Sequence, residues 1–228
     1  MSLAKEDEPY KIAVKRWKGS YFDTKVHQTD FFECICGSDE FEPGNNDMTH
    51  VQCSICTIRQ HAECVNFDLR DPYRGEYKCP HCWSESEPLP SKASLIVSPD
   101  SISYQWIEEI QKHVAEKGLR IFYYKGIKSA GYIQPRVLGN YDLIVTTFTV
   151  LTSETNHINL PHSNSSKGRK FRNPKRFMAI PSPLPVVEWW RICLDEAQMI
   201  EGTSVRKTAE MALSLKSVNR WCVTGTPI

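Results

Sequence analysis

The order of its cysteines restricts this chain more than any other feature. From Cys34 they run C-x-C, sixteen residues, C-x-x-C, four residues, His61, two residues, Cys64, fourteen residues, C-x-x-C. A short C-x-x-C hook lets two thiolates converge on one metal, and the longer gaps bring in a second pair. Cys34, Cys36, Cys53, Cys56, His61, Cys64, Cys79 and Cys82 make eight ligands, enough for two tetrahedral zinc sites. A disulfide knot or scattered buried cysteines is the rival reading. The start, MSLAKEDEPYK, is acidic and polar and is not a signal peptide. The best apolar stretch, VVEWWRICL, is broken by Glu188 and Arg191 and falls short of the ~18 residues of a membrane span. The expectation is a soluble intracellular chain with no membrane partner, and in a reducing compartment clustered cysteines are metal ligands rather than disulfides.

The ligand order C4-H-C3 resembles the plant homeodomain (PHD) finger, a cross-braced fold. A RING-type finger shares that order, but here C-x-C comes first and only four residues separate Cys56 from His61. By the PHD resemblance, Cys34, Cys36, His61 and Cys64 hold one zinc, and Cys53, Cys56, Cys79 and Cys82 the other. Such fingers mostly read histone tails, often gripping a methylated lysine in an aromatic cage. The usual cage tryptophan lies two residues before the ligand histidine; here Arg59 stands there, and a cation repels a cation. What remains is charge. From Cys34 to Cys82 there are eight Asp and Glu against four Arg and Lys, which suits an unmodified basic tail. A scaffold with a solvated acidic surface is the plain alternative. Met48 and Tyr77 are read as pocket walls or as core around the zincs, and His81, between the ligands of CPHC, as exposed.

Past a short linker, 84–93, the pattern changes. SLIV at 94–97 is a brief apolar run closed by Ser98-Pro99. Ile102, Trp106, Ile110 and Val114 recur as on one helix face, and Gly118 can end that helix. LRIFYY, YDLIVTTF, WWRICLDE and RWCVTG read as strands, and a helix from about Ser204 to Leu215 turns Val205, Ala209, Ala212 and Leu215 inward. Nearly continuous apolar strands alternating with helices predict a parallel sheet covered on both faces. Sites in such sheets gather at the carboxyl ends of strands. The polar motifs stand there: Ser98-Pro99, Thr146-Thr147, Asp195-Glu196 and Thr224-Gly225-Thr226. Cys193 and Cys222 are read as buried thiols, and at least one of Trp189 and Trp190 as core.

Those four motifs, in this order between 94 and 228, resemble the first ATPase lobe of the Swi/Snf-type helicase-like enzymes. SLIVSPDSISYQWIEEI is similar to their motif Ia, YDLIVTTF to motif Ib, ICLDEAQMI to motif II and RWCVTGTPI to motif III. A finger directly before motif Ia resembles those members that are also E3 ubiquitin ligases, in which it is inserted inside the ATPase lobe. The resemblance implies an α/β fold: a partial RecA-like parallel-sheet lobe, 94–228, preceded by a small two-zinc finger, 34–83, and a flank, 1–33, that carries no assignment. It implies that Asp195 holds magnesium, that Glu196 orients the attacking water, and that Gln198, in place of a common histidine, meets motif III at Thr224, Gly225 and Thr226. Duplex DNA is expected at Ser98, Ser101, Thr146 and Thr147. The insertion at about 152–185 carries KGRKFRNPKR, whose Lys167, Arg169, Lys170 and Arg172 suit phosphate backbone, nuclear import or plain solvation.

No G-x-x-x-x-G-K-[ST] loop occurs in the 228 residues. The phosphate loop is therefore expected upstream of Met1, and this chain by itself is not expected to hydrolyse ATP. Magnesium and ATP belong to the longer parent, as do a ubiquitin-conjugating enzyme, the sliding clamp as substrate and a nuclear role in DNA damage tolerance. A binding module for histone tails or DNA, without catalysis, is the second reading. A finger that is itself the ligase is a third, expected to fail. Finger and sheet are expected to fold separately, so that loss of Cys53 or His61 unfolds 34–82 and leaves the sheet.

Overall fold

A computed structural model describes residues 32–37, 50–114, 118–158, 160, 180–200 and 206–225. The flank up to 31, Met48, the basic residues Lys167, Arg169, Lys170 and Arg172, Val205 and Thr226 lie outside them. Among the described residues, no helix is long and apolar enough to cross a membrane.

The finger is built on a hairpin of β1 (His50–Gln52) and β2 (Arg59–His61), paired antiparallel with Val51 opposite Gln60. Thr57, at φ 62°, turns the chain back and donates its N–H to Cys53 O at 3.0 Å. Val51, Ile58, Ala62, Val65 and Tyr77 bury themselves with Cys53, Cys79 and Cys82. So small a core does not stabilise a fold unaided, and metal ligation is the usual supplement. The short helix α1 (Pro80–Ser84) starts on Cys79, whose thiol accepts from the Cys82 N–H, with proline in its first turn.

The segment read as a linker is part of the sheet. Its Leu89–Pro90 forms β3, parallel to the start of β7 (Val187–Asp195). β4 (Ser94–Ser98) follows on the same edge of β7, and β8 (Lys216–Val223) lies along the other. β6 (Leu143–Thr147) pairs with β4, and β5 (Ile121–Tyr123) with β6. Every one of these pairings is parallel, as the continuous apolar strands predict. The connections carry α2 (Ser103–His113), α3 (Ile127–Ala130), α4 (Pro135–Gly139), α5 (Phe148–Glu154) and α6 (Arg206–Ser214).

One face of the sheet, with Leu95, Val97, Ile144, Ile192 and Leu194, packs on Phe148 and Leu151 of α5 and on Met211 and Ala212 of α6. The other, with Ile96, Val145 and Cys193, receives Trp106, Ile107 and Ile110 of α2. The predicted stripe on α2 thus holds at Trp106 and Ile110, while Val114 is exposed and Ile107 joins instead. On α6 Thr208 and Met211 face inward with Ala212, and Ala209 is only half-buried. Trp189 is fully buried and Trp190 exposed. Cys193 is buried as predicted, but Cys222 is exposed. The reason is position: β8 ends the sheet among the described residues, leaving Val218, Trp221 and Val223 exposed beside it.

Finger and sheet, expected to fold apart, are joined by buried contacts. Trp83 of α1 is buried and donates its indole N–H to Gln134 Oε1 at 3.0 Å. Gln134 in turn donates to Val65 O at 3.0 Å, and Arg136 to Arg74 O at 3.2 Å. Lys78 and Arg136 both lie over the Trp83 ring. His81, expected to be exposed, is buried, because its helix packs against the turn Leu184–Val186.

Gln134 therefore joins the two parts with both ends of one amide. Gln134→Leu is expected to destabilise the metal-loaded chain by about 1–3 kcal/mol, because Trp83 Nε1 and Val65 O lose a buried partner. Denaturant unfolding read by tryptophan fluorescence and far-ultraviolet dichroism should show one joint transition moving to lower midpoint. A sheet transition that stays in place while the finger melts would bear out the separate folding of the two parts.

Candidate functional site

The eight predicted ligands fall into the two predicted groups, Cys34, Cys36, His61 and Cys64, and Cys53, Cys56, Cys79 and Cys82. Within each group the ligand atoms lie within 4.8 Å of one another. Their separations fit tetrahedral coordination. Metal–sulfur bonds of about 2.3 Å and metal–nitrogen bonds of about 2.0 Å put sulfurs about 3.8 Å apart and sulfur and nitrogen about 3.5 Å apart. Cys56 and Cys79 sulfurs are 3.7 Å apart, and His61 Nδ1 lies 3.5 Å from Cys36 Sγ and 3.7 Å from Cys64 Sγ. Backbone N–H groups support the thiolates: His61 N donates to Cys34 Sγ, Cys79 N to Cys53 Sγ and Cys82 N to Cys79 Sγ.

The acid–base state of the groups points the same way. Burial raises the thiols of Cys34 and Cys64, the latter to about 12. Hydrogen bonds from Cys53 and Cys56 raise Cys79 and Cys82, while at Cys53 the raising contact with Cys56 is outweighed by those with Cys79 and Cys82, bringing it down to about 7. Four crowded sulfurs sharing protons are what a divalent cation resolves. Burial, followed by neighbouring His50, lowers the pKa of His61, favouring the neutral ring a metal needs. Either quartet can hold a metal ion. His81 belongs to neither. Tyr77 is core: its hydroxyl donates to buried Gln60 Oε1 at 2.5 Å. Arg59 stands half-buried on β2.

A second constellation forms where β7 and β8 end. Their register sets Asp195 opposite Val223, so Thr224 follows beside the turn that carries Glu196 and Gln198. Glu196 adopts φ 53°, a left-handed conformation that costs a non-glycine residue about 1 kcal/mol or more and tends to mark functional turns. In that turn the Thr224 hydroxyl donates to Gln198 Oε1 at 2.7 Å, and Gln198 Nε2 donates to Glu196 Oε2 at 2.5 Å. An uncharged amide thus links a hydroxyl on one strand end to a carboxylate on the next. Asp195 accepts the Glu196 N–H on Oδ1 at 3.0 Å and the Trp106 indole N–H on Oδ2 at 2.8 Å. Gly225 is exposed.

The hydroxyls expected to meet DNA are mostly turned inward. Ser98, Thr146 and Thr147 are buried. Thr146 donates to Tyr124 O at 2.9 Å, and Thr147 caps α5 by accepting the Val150 N–H. Of these hydroxyls Thr147 serves as a helix cap, and Ser101 alone of the four is exposed. Two features escaped sequence reading. Thr149 donates to Asp100 at 2.6 Å, tying α5 to the turn before α2. Buried Glu154 accepts from Tyr124 OH at 2.7 Å, from the Ile127 N–H at 2.8 Å and from the Ser182 hydroxyl. Burial and then that carboxylate hold the Tyr124 phenol well above its ordinary pKa, so it remains a donor. The basic insertion leaves and returns at this hub, where His157 O accepts the Ser182 N–H at 2.8 Å.

The SNF2-related domain model matches residues 10–228. The chain is similar to the E3 ubiquitin-protein ligase SHPRH of Mus musculus, 51% identical over 197 residues, which are 86% of this chain and 12% of that protein. The Homo sapiens protein of the same name is 50% identical over 198 residues, again 86% and 12%. An uncharacterized ATP-dependent helicase, IRC20, of Saccharomyces cerevisiae is 33% identical over 60% of this chain and 9% of its own length. Among solved structures, the Sulfolobus solfataricus SWI2/SNF2 ATPase core in complex with dsDNA is 28% identical over 60% of this chain and 22% of that one, with a TM-score of 0.40. The chain thus spans about an eighth of the length of the SHPRH proteins it matches.

Elemental analysis of the purified chain is expected to find about two zinc ions per molecule, the capacity of two four-ligand sites. Cys53→Ser should lower that content by at least one ion. Because raised thiols must lose protons to bind metal, affinity should fall as pH falls, read by competition with a chromophoric chelator. A single ion per chain, or pH-independent binding, contradicts the assignment.

Proposed function

The chain belongs to the SNF2-related domain family, and we propose that it is a segment of a DNA-dependent, helicase-like ATPase that is also an E3 ubiquitin ligase. The observation that carries the ATPase part of this reading is the Thr224–Gln198–Glu196 relay beside Asp195, at the ends of two paired parallel strands, and the ligase part is supported by the similarity to the SHPRH proteins. In it Asp195 holds magnesium and Glu196 orients the attacking water. Bound magnesium with ATP supplies charge neutralisation at the phosphates. Thr224 senses the same turn, so a shift of the β8 end reaches Glu196 through Gln198. Since an amide does not titrate, this link keeps its hydrogen-bond pattern across neutral pH, where a histidine in its place would charge.

The finger, loaded with two zinc ions, is the chromatin-reading element and takes an unmodified basic histone tail through its acidic surface. Its clasp through Gln134 supports presentation of the tail at a set orientation to the lobe. Duplex DNA meets Ser101 and the backbone N–H groups around the motif Ia and Ib turns, with Lys167, Arg169, Lys170 and Arg172 adding charge. The longer polypeptide supplies the phosphate loop, the contact with a ubiquitin-conjugating enzyme and the sliding clamp as substrate, in the nucleus during DNA damage tolerance. A catalytically silent module for histone tails or DNA is the second reading, favoured by the absence of a G-x-x-x-x-G-K-[ST] loop from the 228 residues.

A longer polypeptide that includes the loop is expected to hydrolyse ATP in the presence of duplex DNA, and the 228-residue chain not to. In the longer protein Glu196→Gln should lower turnover at least ~100-fold, the scale of a lost general base. Equal turnover with and without Glu196 would remove the role assigned to it; no turnover under any condition, alongside tail-peptide binding by calorimetry, would favour the binding module.

A further inference from the structure

By sequence Trp106 is one apolar residue of a helix stripe. In the structure its ring does pack on the cluster of Ile96, Val145 and Cys193, but its indole N–H reaches across the face to Asp195 Oδ2 at 2.8 Å. The other oxygen of that carboxylate accepts the Glu196 N–H at 3.0 Å. Each oxygen therefore holds one donor and keeps acceptor capacity. With both ends engaged, the carboxylate plane cannot rotate without breaking a charge-assisted hydrogen bond. Turning the indole away would in turn require repacking of the cluster beneath it.

The same helix is anchored at its start. Asp100, in the turn between β4 and α2, receives Thr149 Oγ1 at 2.6 Å, and its carbonyl receives Ser103 Oγ at 3.0 Å. From Ser103 to Trp106 is less than one helical turn, about 4.5 Å along the axis. The turn that carries exposed Ser101 thus lies within one helical turn of the residue that meets Asp195.

We propose that Trp106 is a positioning residue that holds the Asp195 carboxylate oriented for a divalent cation and couples it to the turn at the start of α2. This rests on the reading of Asp195 as the magnesium-holding acid. Donors that orient a metal-holding carboxylate from behind are commonly worth 10–100-fold in metal affinity or activity, about tenfold at the low end.

Two measurements test it. In the ¹⁵N-labelled 228-residue chain the six tryptophans give six indole signals, and Trp106→Phe, which keeps an aromatic ring on the cluster, identifies the one lost. Asp195→Asn is expected to move that signal upfield, since an amide oxygen is the weaker acceptor, with the other signals reporting an intact fold. A Trp106 signal that stays in place overturns the proposal. In the longer ATP-hydrolysing polypeptide, Trp106→Phe should raise the magnesium concentration for half-maximal turnover about tenfold, while Asp195→Asn abolishes turnover. An unchanged magnesium dependence in Trp106→Phe, with Asp195→Asn inactive, overturns the positioning role alone. Full turnover in Asp195→Asn removes the magnesium reading, and the proposal with it, even where the indole shift is seen.

Discussion

A buried strand must pair the backbone groups of both its edges, and β7 is the strand on which that requirement falls hardest. Its nine residues take β3 and β4 along one edge and β8 along the other. The unpaired alternative costs roughly a hydrogen bond for each buried N–H or C=O left over. The register this imposes does more than close the sheet. It sets Asp195 at the end of β7 level with the end of β8, and so brings Thr224 to the turn of Glu196 and Gln198. A one-residue slip would turn Asp195 to the opposite face and remove Leu194 from the core.

The finger depends on a different constraint. Its apolar core is too small to fold without its ligands, yet it does not stand alone. Trp83, Gln134 and Val65 form a continuous buried hydrogen-bonded path from α1 through the loop before α4 and back into the finger. Buried Tyr132 lies close enough to Cys79 and Cys82 for their thiolates to raise its phenol, after burial itself. Cys82 of the second ligand quartet stands next to Trp83 on α1, so that quartet adjoins the clasp to the lobe.

The motif Ia and Ib residues illustrate how one side chain can serve the fold in a place associated with function. Ser98 and Thr147 face one another across β4 and β6, and both are buried. Thr147 starts the helix that follows, and Thr146 binds the end of β5. Their sequence position at the carboxyl ends of strands was legible. Whether their hydroxyls faced water or backbone depended on helices α2 and α5, which arrive from elsewhere in the chain. Cys222 and His81 differ from expectation for a related reason, one on the strand that ends the sheet among the described residues and one under a docked turn.

By itself the sequence determined the ligands, their division into quartets by resemblance, the parallel α/β pattern and the strand ends where polar groups gather. These are local properties: short hooks fix donors near one another, and apolar runs fix which segments must be buried. Tertiary structure alone decided that Gln134 clasps the finger, that Glu196 sits in a left-handed turn and that Trp106 reaches an acid 89 residues away. No periodicity encodes such contacts, because each exists only once the strand order β8-β7-β4-β6-β5 has set separate stretches of chain side by side.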